Sequence, residues 1–317
     1  MRIAITGISG FVGHHFLQYL YDEGIEAEVF GLDIREPVYD TSIYADVLKI
    51  KIQIVDLLDH DRLCRILKDA SPDYLLHLAS YSSVAFSWKN PTESFRNNTN
   101  IFLNLITALQ QGGLKCRVLS IGSSEEYGLV SKDELPIRED RKPEPISPYA
   151  VARVSQEMLS KVFVDSYGSD IILTRSFNHI GPWQDERFVV PSFARRILDI
   201  KRSGKDSGTI KTGDISIIRD FVDVRDVVRA YWLLLREGRV GEIYNICSGQ
   251  GTSLSKVIDI LADVMKIEVT AETDPDLIRP NDNPVIIGDP GKISSELGWK
   301  PSISLETTLG DIIKDLA

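Results

Sequence analysis

The sequence predicts an α/β fold in which a doubly wound parallel sheet is joined to a smaller, interleaved C-terminal α/β lobe. The first half of the chain alternates strand-like and helix-like segments, and this repeated order indicates a parallel sheet with helices on both faces. The strand-like runs are rich in Ile, Val and Leu, as expected of strands buried on both faces. A glycine-rich turn between the first strand and the first helix is the third indication.

The elements of the first half follow from these patterns. We predict strands at Arg2–Thr6, Glu28–Leu32, Lys51–Val55, Tyr74–Leu78 and Arg117–Ile121. Between them, the apolar spacing predicts helices at Phe11–Glu23, Asp61–Lys68, Pro91–Gln111 and Pro148–Tyr167. Asp59 or His60 could begin the second helix, and Gly112-Gly113 ends the third, because glycine commonly follows a helix.

The second half is less regular. We predict strands at Asp170–Phe177 and Glu242–Ile246, and helices at Phe188–Lys201, Asp223–Arg236, Ser253–Met265 and Leu305–Leu316. Thr252 is the predicted cap of the third of these helices, and the segment 202–208 is a polar stretch. The predicted division is discontinuous: residues 1–175 plus about 218–246 form the first domain, and about 176–217 plus 247–317 form the second.

Composition excludes several classes of protein. The 317 residues carry 46 acidic and 36 basic side chains, a net charge of −10, which disfavours binding to nucleic acids or anionic membranes. Three isolated cysteines without a CxxC pattern predict a reducing compartment and no metal site. No apolar run approaches the roughly 20 residues of a membrane span, and the amino terminus does not resemble a signal peptide, so we expect a cytoplasmic protein.

Glycines at positions 7, 10 and 13 have the spacing GxxGxxG where the first strand passes into the first helix. Glycine lets the backbone turn tightly and approach a pyrophosphate, and the helix amino terminus presents N–H donors to it. The alternative is a glycine-rich turn without a function. In this position we favour the dinucleotide-binding loop of a Rossmann fold, formed by Gly7, Gly10, Phe11, Val12 and Gly13.

Two acidic residues follow the next strands. Asp33 lies 20 residues after Gly13, where a carboxylate accepts hydrogen bonds from the ribose hydroxyls of NAD and repels the 2′-phosphate of NADP. This predicts NAD as the cofactor, with NADP possible because Arg35 could offset the repulsion. Asp56-Leu57 lies where an acid could meet the adenine amino group, although Asp56 could equally cap the next helix.

A candidate catalytic group comprises Ser123, Tyr149 and Arg153. Ser123 follows the fifth strand at the edge of the sheet where ligands bind in such folds, and Tyr149 and Arg153 are four residues apart on one helix face. A phenol is a weak base at neutral pH, but a fixed cation beside it favours the phenolate. With the serine hydroxyl orienting the substrate oxygen, this group could move a proton at a sugar hydroxyl while hydride passes to nicotinamide.

The chain resembles an extended short-chain dehydrogenase/reductase over nearly its whole length. The matching pieces are GxxGxxG at 7–13, His77-Leu78-Ala79, Asn98, Gly122-Ser123-Ser124-Glu125-Glu126-Tyr127-Gly128, Tyr149 and Arg219-Asp220-Phe221-Val222-Asp223-Val224. A narrower resemblance, to bacterial GDP-6-deoxy-4-keto-mannose reductases and GDP-mannose 4,6-dehydratases, rests on Arg175–Pro182, and the reductases are also matched by Tyr244–Gln250 and Gly298–Pro301.

Two positions bear on the chemistry that this resemblance implies. The family pattern is YxxxK, whereas this chain has Arg153 in place of the lysine, and arginine is longer, planar and not equivalent. Glu125 matches a glutamate that helps to expel water in the dehydratases, but the reductases also have it. The segment 34–40 does not resemble the Arg- and Ser-rich cofactor loop of the dehydratases, which favours the reductase-like branch.

The resemblance also implies binding residues. On the cofactor side, the residues that it adds are Leu78, Ala79, Asn98 and Phe177. They join the cofactor candidates given above, which are the glycine loop, Asp33, Asp56, Leu57, Tyr149 and Arg153. Arg219 and Arg279 match positions that bind the diphosphate of a sugar nucleotide, and Asn178 matches a further hydrogen-bond donor to it. Asp282 matches a glutamate that contacts the nucleotide ribose. Val189 matches a residue that packs against guanine. The remaining candidates for the substrate side are Ser124, Arg187 and Arg195, and His179 is expected to be a packed neighbour of the site.

We therefore expect a nicotinamide-dependent C4 oxidoreductase of a GDP-linked deoxysugar, most similar to the GDP-4-keto-6-deoxy-mannose reductases. The alternatives are a GDP-mannose 4,6-dehydratase with Glu125 as acid and base, and a NAD-binding sensor or scaffold whose catalysis has weakened. Relatives pair the helices predicted at Pro91–Gln111 and Pro148–Tyr167, so the resemblance also implies a homodimer.

Overall fold

A parallel seven-stranded sheet forms the centre of the molecule. A computed structural model describes residues 1–278 and 283–317. The strands lie in the order β10-β6-β5-β4-β1-β2-β3, and every neighbouring pair is parallel. Their bounds are β1 Arg2–Thr6, β2 Ala27–Asp33, β3 Leu48–Ile54, β4 Tyr74–His77, β5 Arg117–Ser123, β6 Ile171–Ser176 and β10 Ile243–Ile246.

Helices cover both faces of this sheet. They are α1 Phe11–Asp22, α2 His60–Ala70, α3 Val84–Lys89, α4 Pro91–Gln111, α5 Pro148–Tyr167 and α7 Val224–Glu237. One core contains buried residues of α1 and α7, among them Phe16 and Val227. A second core contains residues of α2, α4 and α5, among them Leu67, Leu105 and Phe163. The predicted doubly wound fold is therefore confirmed.

Local sequence explains where the helices that carry the site begin. The Asp59 carboxylate accepts the Arg62 N–H and caps α2, which decides between the two predicted starts. Ser147 caps α5 by accepting the Ala150 N–H at 3.1 Å, and Pro148 occupies the first turn, where proline is tolerated. Helices α4 and α5 have the predicted bounds.

The second lobe contains two small sheets. Strands β7 Asn178–Ile180, β9 Ile218–Asp223, β11 Gly251–Ser253 and β13 Val285–Ile286 form one, and β8 Ser207–Thr212 pairs with β12 Glu268–Thr273 in the other. Helices α6 Val189–Arg202, α8 Leu254–Met265 and α10 Leu305–Leu316 share a third core. Helix α9 Gly291–Leu297 packs beside β10.

Several details differ from the sequence prediction. The prediction assigns the chain from about residue 218 to the first domain, but β9 pairs with β7, β11 and β13 in the second lobe. The cap of α8 is Ser253, which accepts the Lys256 N–H, and not Thr252. Strands of two or three residues are too short to show a hydrophobic period, so β7, β11 and β13 leave no sequence signal.

Within residues 1–278 and 283–317, no helix is long and apolar enough to cross a membrane. Within the same ranges, no group of three or more His, Cys, Asp or Glu side chains is placed to hold a metal ion.

Candidate active site

A cavity of about 1050 Å³ lies at the carboxyl ends of the parallel strands and extends into the second lobe. Parallel sheets bind ligands at this edge. Twenty residues that the sequence singled out line it: Gly7, Gly10, Phe11, Val12, Gly13, Asp33, Asp56, Leu57, Leu78, Ala79, Ser123, Ser124, Glu125, Tyr149, Arg153, Phe177, Asn178, Arg187, Val189 and Arg219.

The three glycines of the loop have different roles. Gly7 has a φ of +72°, and a Cβ there would lie 2.7 Å from the backbone nitrogen of Ala79. A Cβ on Gly13 would lie 2.3 Å from the carbonyl oxygen of Ile8, so α1 packs directly on the loop. At Gly10 an added Cβ would lie 3.2 Å from the Gly7 carbonyl oxygen, which is a tight contact. Gly10 lines the cavity just before the start of α1, a position that fits the pyrophosphate of a dinucleotide.

The Asp33 carboxylate is fixed at the end of β2. Its Oδ2 accepts the backbone N–H of Ser9 at 2.9 Å, and its Oδ1 accepts the N–H of Ile34 at 2.7 Å. The first bond ties the carboxylate to the glycine loop, so both would face the same ligand. Arg35 also lines the cavity and is exposed. This donor and acceptor set fits the adenosine ribose of a nicotinamide cofactor.

Asp56 has a local role as well as a place in the cavity. Its Oδ1 accepts the Leu58 N–H at 2.9 Å, which fixes the turn after β3. Asp59, and not Asp56, caps α2. The carboxylate of Asp56 is therefore held at the wall of the cavity by the turn that contains it.

A buried layer supports the cofactor end of the cavity. The hydroxyl of Thr6 lies 2.8 Å from Nδ1 of His77 and accepts the Ala79 N–H at 3.3 Å. Burial and the Arg153 charge lower the pKa of His77 to about 3, so this imidazole is neutral and structural. Asn98 bonds the N–H and carbonyl of Tyr81, at 2.8 and 3.0 Å. Among the described residues, the cavity wall includes Asn97 and Tyr81 but not Asn98, which therefore shapes the wall from behind.

Tyr149 and Arg153 meet on the first two turns of α5. The Arg153 Nε donates to the Tyr149 phenol oxygen at 3.3 Å, and its guanidinium carbon lies 5.3 Å from the ring centroid. Arg153 also donates to the Ile121 carbonyl, the Gln156 side-chain oxygen and the Ser80 hydroxyl, at 3.0, 2.8 and 2.6 Å. The arginine is therefore a fixed cation against the phenol, and not a solvated helix residue.

Ser123 ends β5 and begins a capping box. Its Oγ accepts the Glu125 N–H at 3.2 Å, and its own N–H donates to Glu126 Oε1 at 2.7 Å. Among residues 1–278 and 283–317, no side chain or carbonyl accepts the Ser123 O–H, so this hydrogen can bond a ligand. Burial, followed by the charge of Glu157, raises the pKa of Glu126 from its ordinary value of 4.5 to about 8. Glu125 lines the cavity, whereas the fully buried Glu126 braces the loop from behind.

Several cationic side chains lie at the end of the cavity that extends into the second lobe. Arg219 is buried and donates to the Asn283 carbonyl at 2.7 Å, and Arg187 pairs with Asp185 at 2.9 Å. Arg195, a predicted ligand, instead pairs with Glu186 at 2.8 Å and donates to the Leu316 carbonyl. Its neighbour on α6, Arg196, lines the cavity. Adjacent helix residues point about 100° apart, so Arg196, and not Arg195, is among the described residues that line the cavity.

Arg196 and Lys211 form the part of this end that the sequence analysis missed. Arg196 donates to the Lys211 carbonyl, and both line the cavity. Lys211 lies on the short strand β8, which has no periodic signal in the sequence. The predicted ligands Arg279 and Asp282 lie outside the described residues.

His179 is a packed neighbour of the site. Its Nδ1 lies 3.2 Å from the Phe177 carbonyl oxygen, and its ring stacks on that of Phe11 with centroids 6.2 Å apart. Burial lowers the pKa of His179 and so disfavours its protonation. These contacts and this shift agree with a packed, structural histidine.

Known proteins resemble this chain along its whole length. The sequence model of a family described as GDP-mannose 4,6 dehydratase matches residues 4–312. The GDP-6-deoxy-D-mannose reductase of Pseudomonas aeruginosa is 33% identical, over 99% of this chain and 96% of the relative. The GDP-mannose 4,6-dehydratase of Yersinia enterocolitica is 28% identical, over 98% and 92% respectively.

Solved structures are similar to the same extent. RMD from Pseudomonas aeruginosa, complexed with NADPH, has a TM-score of 0.84 and 32% identity and covers 100% of this chain and 99% of its own. The Thermus thermophilus UDP-glucose 4-epimerase, in complex with NAD, has a TM-score of 0.85 and 28% identity, with the same coverage. These likenesses confirm the predicted fold and the resemblance that the motifs indicate.

Proposed function

The chain belongs to the GDP-mannose 4,6 dehydratase family, and we propose that it is a nicotinamide-dependent C4 oxidoreductase of a GDP-linked deoxysugar, of the GDP-4-keto-6-deoxy-mannose reductase type. The observation that carries the proposal is the shared cavity, in which Ser123, Tyr149 and Arg153 line a wall together with the glycine loop. The 33% identity to the Pseudomonas aeruginosa reductase supports the same assignment.

The proposed mechanism gives each catalytic side chain one task. A nicotinamide cofactor held by the glycine loop and Asp33 would supply or accept the hydride at the sugar carbon. Tyr149 gives the proton to the sugar oxygen during reduction and removes it during oxidation. Ser123, whose Oγ already accepts the Glu125 N–H, directs its O–H to the same oxygen. Arg153, held 3.3 Å from the phenol oxygen, stabilises the phenolate.

We assign the sugar nucleotide to the second lobe, made of segments 176–217 and 247–317 with β9. An acidic chain must gather cations where it binds a diphosphate. Arg187, Arg196, Lys211 and Arg219 line that end of the cavity. We propose Arg219 and Asn178 for the diphosphate and Val189 for the base. We keep Arg279 and Asp282 as proposed ligands on the basis of the motif alone.

The cofactor proposal is NAD(H) in preference to NADP(H). The Asp33 carboxylate is fixed at the ribose end of the cavity by two backbone N–H groups and would repel a 2′-phosphate. Arg35 at the cavity wall is the feature that would allow NADP(H).

One incubation tests the proposed reaction. The purified protein is given GDP-mannose or GDP-4-keto-6-deoxymannose, with and without NADH or NADPH, and the products are read by mass spectrometry. A reductase consumes the keto sugar and the reduced cofactor in equal amounts, and its product is heavier than the keto sugar by two hydrogens. Unchanged keto sugar in the presence of both reduced cofactors would reject the proposal.

The second candidate function is GDP-mannose 4,6-dehydratase. Glu125 lines the cavity beside Ser124, where it could act as acid and base for loss of water. In the same incubation, a dehydratase converts GDP-mannose to a product lighter by one water without added reduced cofactor. Stoichiometric binding of cofactor and GDP-sugar without any product would instead support a sensor or scaffold.

We also propose a homodimer formed through α4 and α5. Val151, Met158 and Val162 are apolar, exposed and on one face of α5, and Phe95 of α4 is exposed as well. Residues spaced by seven and four lie on one side of a helix. Pairing this face with its copy would bury a patch that a monomer leaves in water.

A further inference from the structure

Besides Tyr149, Arg153 donates hydrogen bonds to three groups that take no part in the proposed reaction. Its Nη1 donates both to the Ile121 carbonyl, at 3.0 Å, and to Gln156 Oε1, at 2.8 Å, which uses both hydrogens of that nitrogen. Its Nη2 donates to Ser80 Oγ at 2.6 Å and its Nε to Tyr149. Among the described residues, one Nη2 hydrogen is left for a ligand.

Gln156 is fixed in one orientation by its own partners. Its Nε2 donates to the Ser120 hydroxyl at 2.9 Å and to the Ile121 carbonyl at 3.1 Å. Since guanidinium has no acceptor and a carbonyl has no donor, only one assignment of the amide satisfies both contacts. Gln156 is 1% exposed and lies beneath the described residues that form the cavity wall.

We propose that Gln156 is a positioning residue that sets the plane of the Arg153 guanidinium, so that Nε reaches Tyr149 and one Nη2 hydrogen remains for the cofactor. This inference rests on the proposed function. A free arginine side chain has many rotamers, and a planar fork must be turned correctly before it can replace a compact ammonium group. The fixed amide one helical turn away supplies that orientation.

Other titratable groups near Arg153 are Glu126, His77 and Tyr231. Burial raises the pKa of Glu126 to about 8, lowers that of His77 to about 3 and raises that of Tyr231. His77 and Tyr231 therefore stay neutral between about pH 5 and 9. Since Glu126 titrates in this range, pH profiles are compared in the Glu126→Gln background as well.

The test is a double-mutant cycle of Gln156→Leu and Arg153→Lys. With Arg153 present, Gln156→Leu is expected to lower kcat about tenfold, because the hydrogen bond that it removes is made to a charged group. The KM for the sugar should stay nearly unchanged. The Tyr149-dependent limb of the pH–rate profile should move to higher pH. In the Arg153→Lys background, the same change should have about a twofold effect or less. Equal losses in both backgrounds would overturn the proposal.

Two further variants separate positioning from folding. Ser160→Ala removes a buried hydroxyl that bonds Ser120 and the Gln156 carbonyl but not Arg153, so it should lower stability without moving the pH profile. Gln156→Asn keeps a buried amide but withdraws its oxygen from Arg153 by one methylene, so it should move the pH profile in the same direction as Gln156→Leu, even if Gln156→Leu does not fold. A shifted profile in Ser160→Ala, or the parent's profile in Gln156→Asn, would contradict the proposal.

A measurement that does not depend on turnover distinguishes a failure of this inference from a failure of the proposed function. NADH affinity is measured by fluorescence titration for all four members of the cycle. Gln156→Leu should weaken NADH binding several-fold with Arg153 present and leave it nearly unchanged in the Arg153→Lys background. A protein that turns over no GDP-sugar but shows this coupling keeps the inference and rejects the proposed function. Absence of the coupling rejects the inference even in an active enzyme.

Discussion

The Arg153 Nε lies 3.3 Å from the Tyr149 phenol oxygen, and the two side chains are only 5% and 7% exposed. A cation and a phenol held together away from water interact more strongly than the same pair at a surface. This contact explains how the chain could use a tyrosine as acid and base although the usual lysine is absent.

Tyr149→Phe should abolish turnover and leave cofactor affinity nearly intact. The phenol oxygen carries the proton, and general acid–base groups typically contribute about 10²–10⁴-fold to the rate. The measurement is steady-state kcat beside NADH titration. A fully active Tyr149→Phe variant would reject the catalytic assignment at its centre.

Arg153→Ala and Arg153→Lys should differ in direction. The alanine variant loses the cation and the hydrogen bonds that Arg153 donates to Ile121, Gln156 and Ser80, so activity and cofactor affinity should both fall. The pH at which the Tyr149-dependent rate rises should also increase. The lysine variant should retain or raise activity, because it restores a charge at the same helix position. If Arg153→Ala alters neither the pH–rate profile nor NADH binding, Arg153 has no catalytic role.

Asp33→Ser should relax the preference for NADH. Serine removes the negative charge that would oppose a 2′-phosphate, and the ratio of the NADH and NADPH dissociation constants should move toward NADPH by about tenfold or more. Asp40→Asn is the matched control, because Asp40 is exposed and caps a short turn after the cavity-lining segment. Tighter binding of NADPH than NADH to the unmutated protein would contradict the assignment.

Glu126 should make the protein less stable as pH rises. Its folded-state pKa of about 8 lies above the ordinary 4.5, so the folded protein binds more protons than the unfolded chain between these values. Stability is therefore highest near the lower value and falls toward pH 8, by up to about 1.4 kcal/mol per pH unit.

Glu126→Gln should remove that slope, since the amide keeps an acceptor for the Ser123 N–H. The measurement is the urea midpoint between about pH 6.5 and 9, above the pKa of about 6 to which burial raises Asp220. Glu134→Gln is the control, because ionic hydrogen bonds from Arg141 and Ser131 lower the pKa of Glu134 to about 2 and keep it charged throughout this range. A slope that persists in Glu126→Gln would assign the effect to another group.

Met158→Glu should dissociate the proposed dimer. A two-fold axis through this face of α5 would bring the new carboxylates close together in a setting with little water. Light scattering should fall from the mass of two chains to that of one. Val264→Glu, on an exposed position of α8, should leave the mass unchanged. A single-chain mass for the unmutated protein would reject the dimer.

Sequence alone determined the features that are local along the chain. The glycine spacing, the apolar strands and the capped helices each depend on residues within a few positions. The succession of strands and helices along the chain and the bounds of α4 and α5 could therefore be predicted. The pairing of Tyr149 with Arg153 was predictable for the same reason, because residues four apart share a helix face.

Only the tertiary structure decided which distant groups meet. Strand β9 joined the second lobe because its partners β7, β11 and β13 are too short to be recognised and lie far away in the chain. Arg196 replaced Arg195 at the cavity because the packing of α6 sets its rotation. Ser80, in the loop after β4, and Ile121, on β5, both meet the guanidinium of Arg153 on α5. Such contacts depend on how helices and strands pack. The linear sequence does not contain the spatial distance between residues that are far apart in the chain.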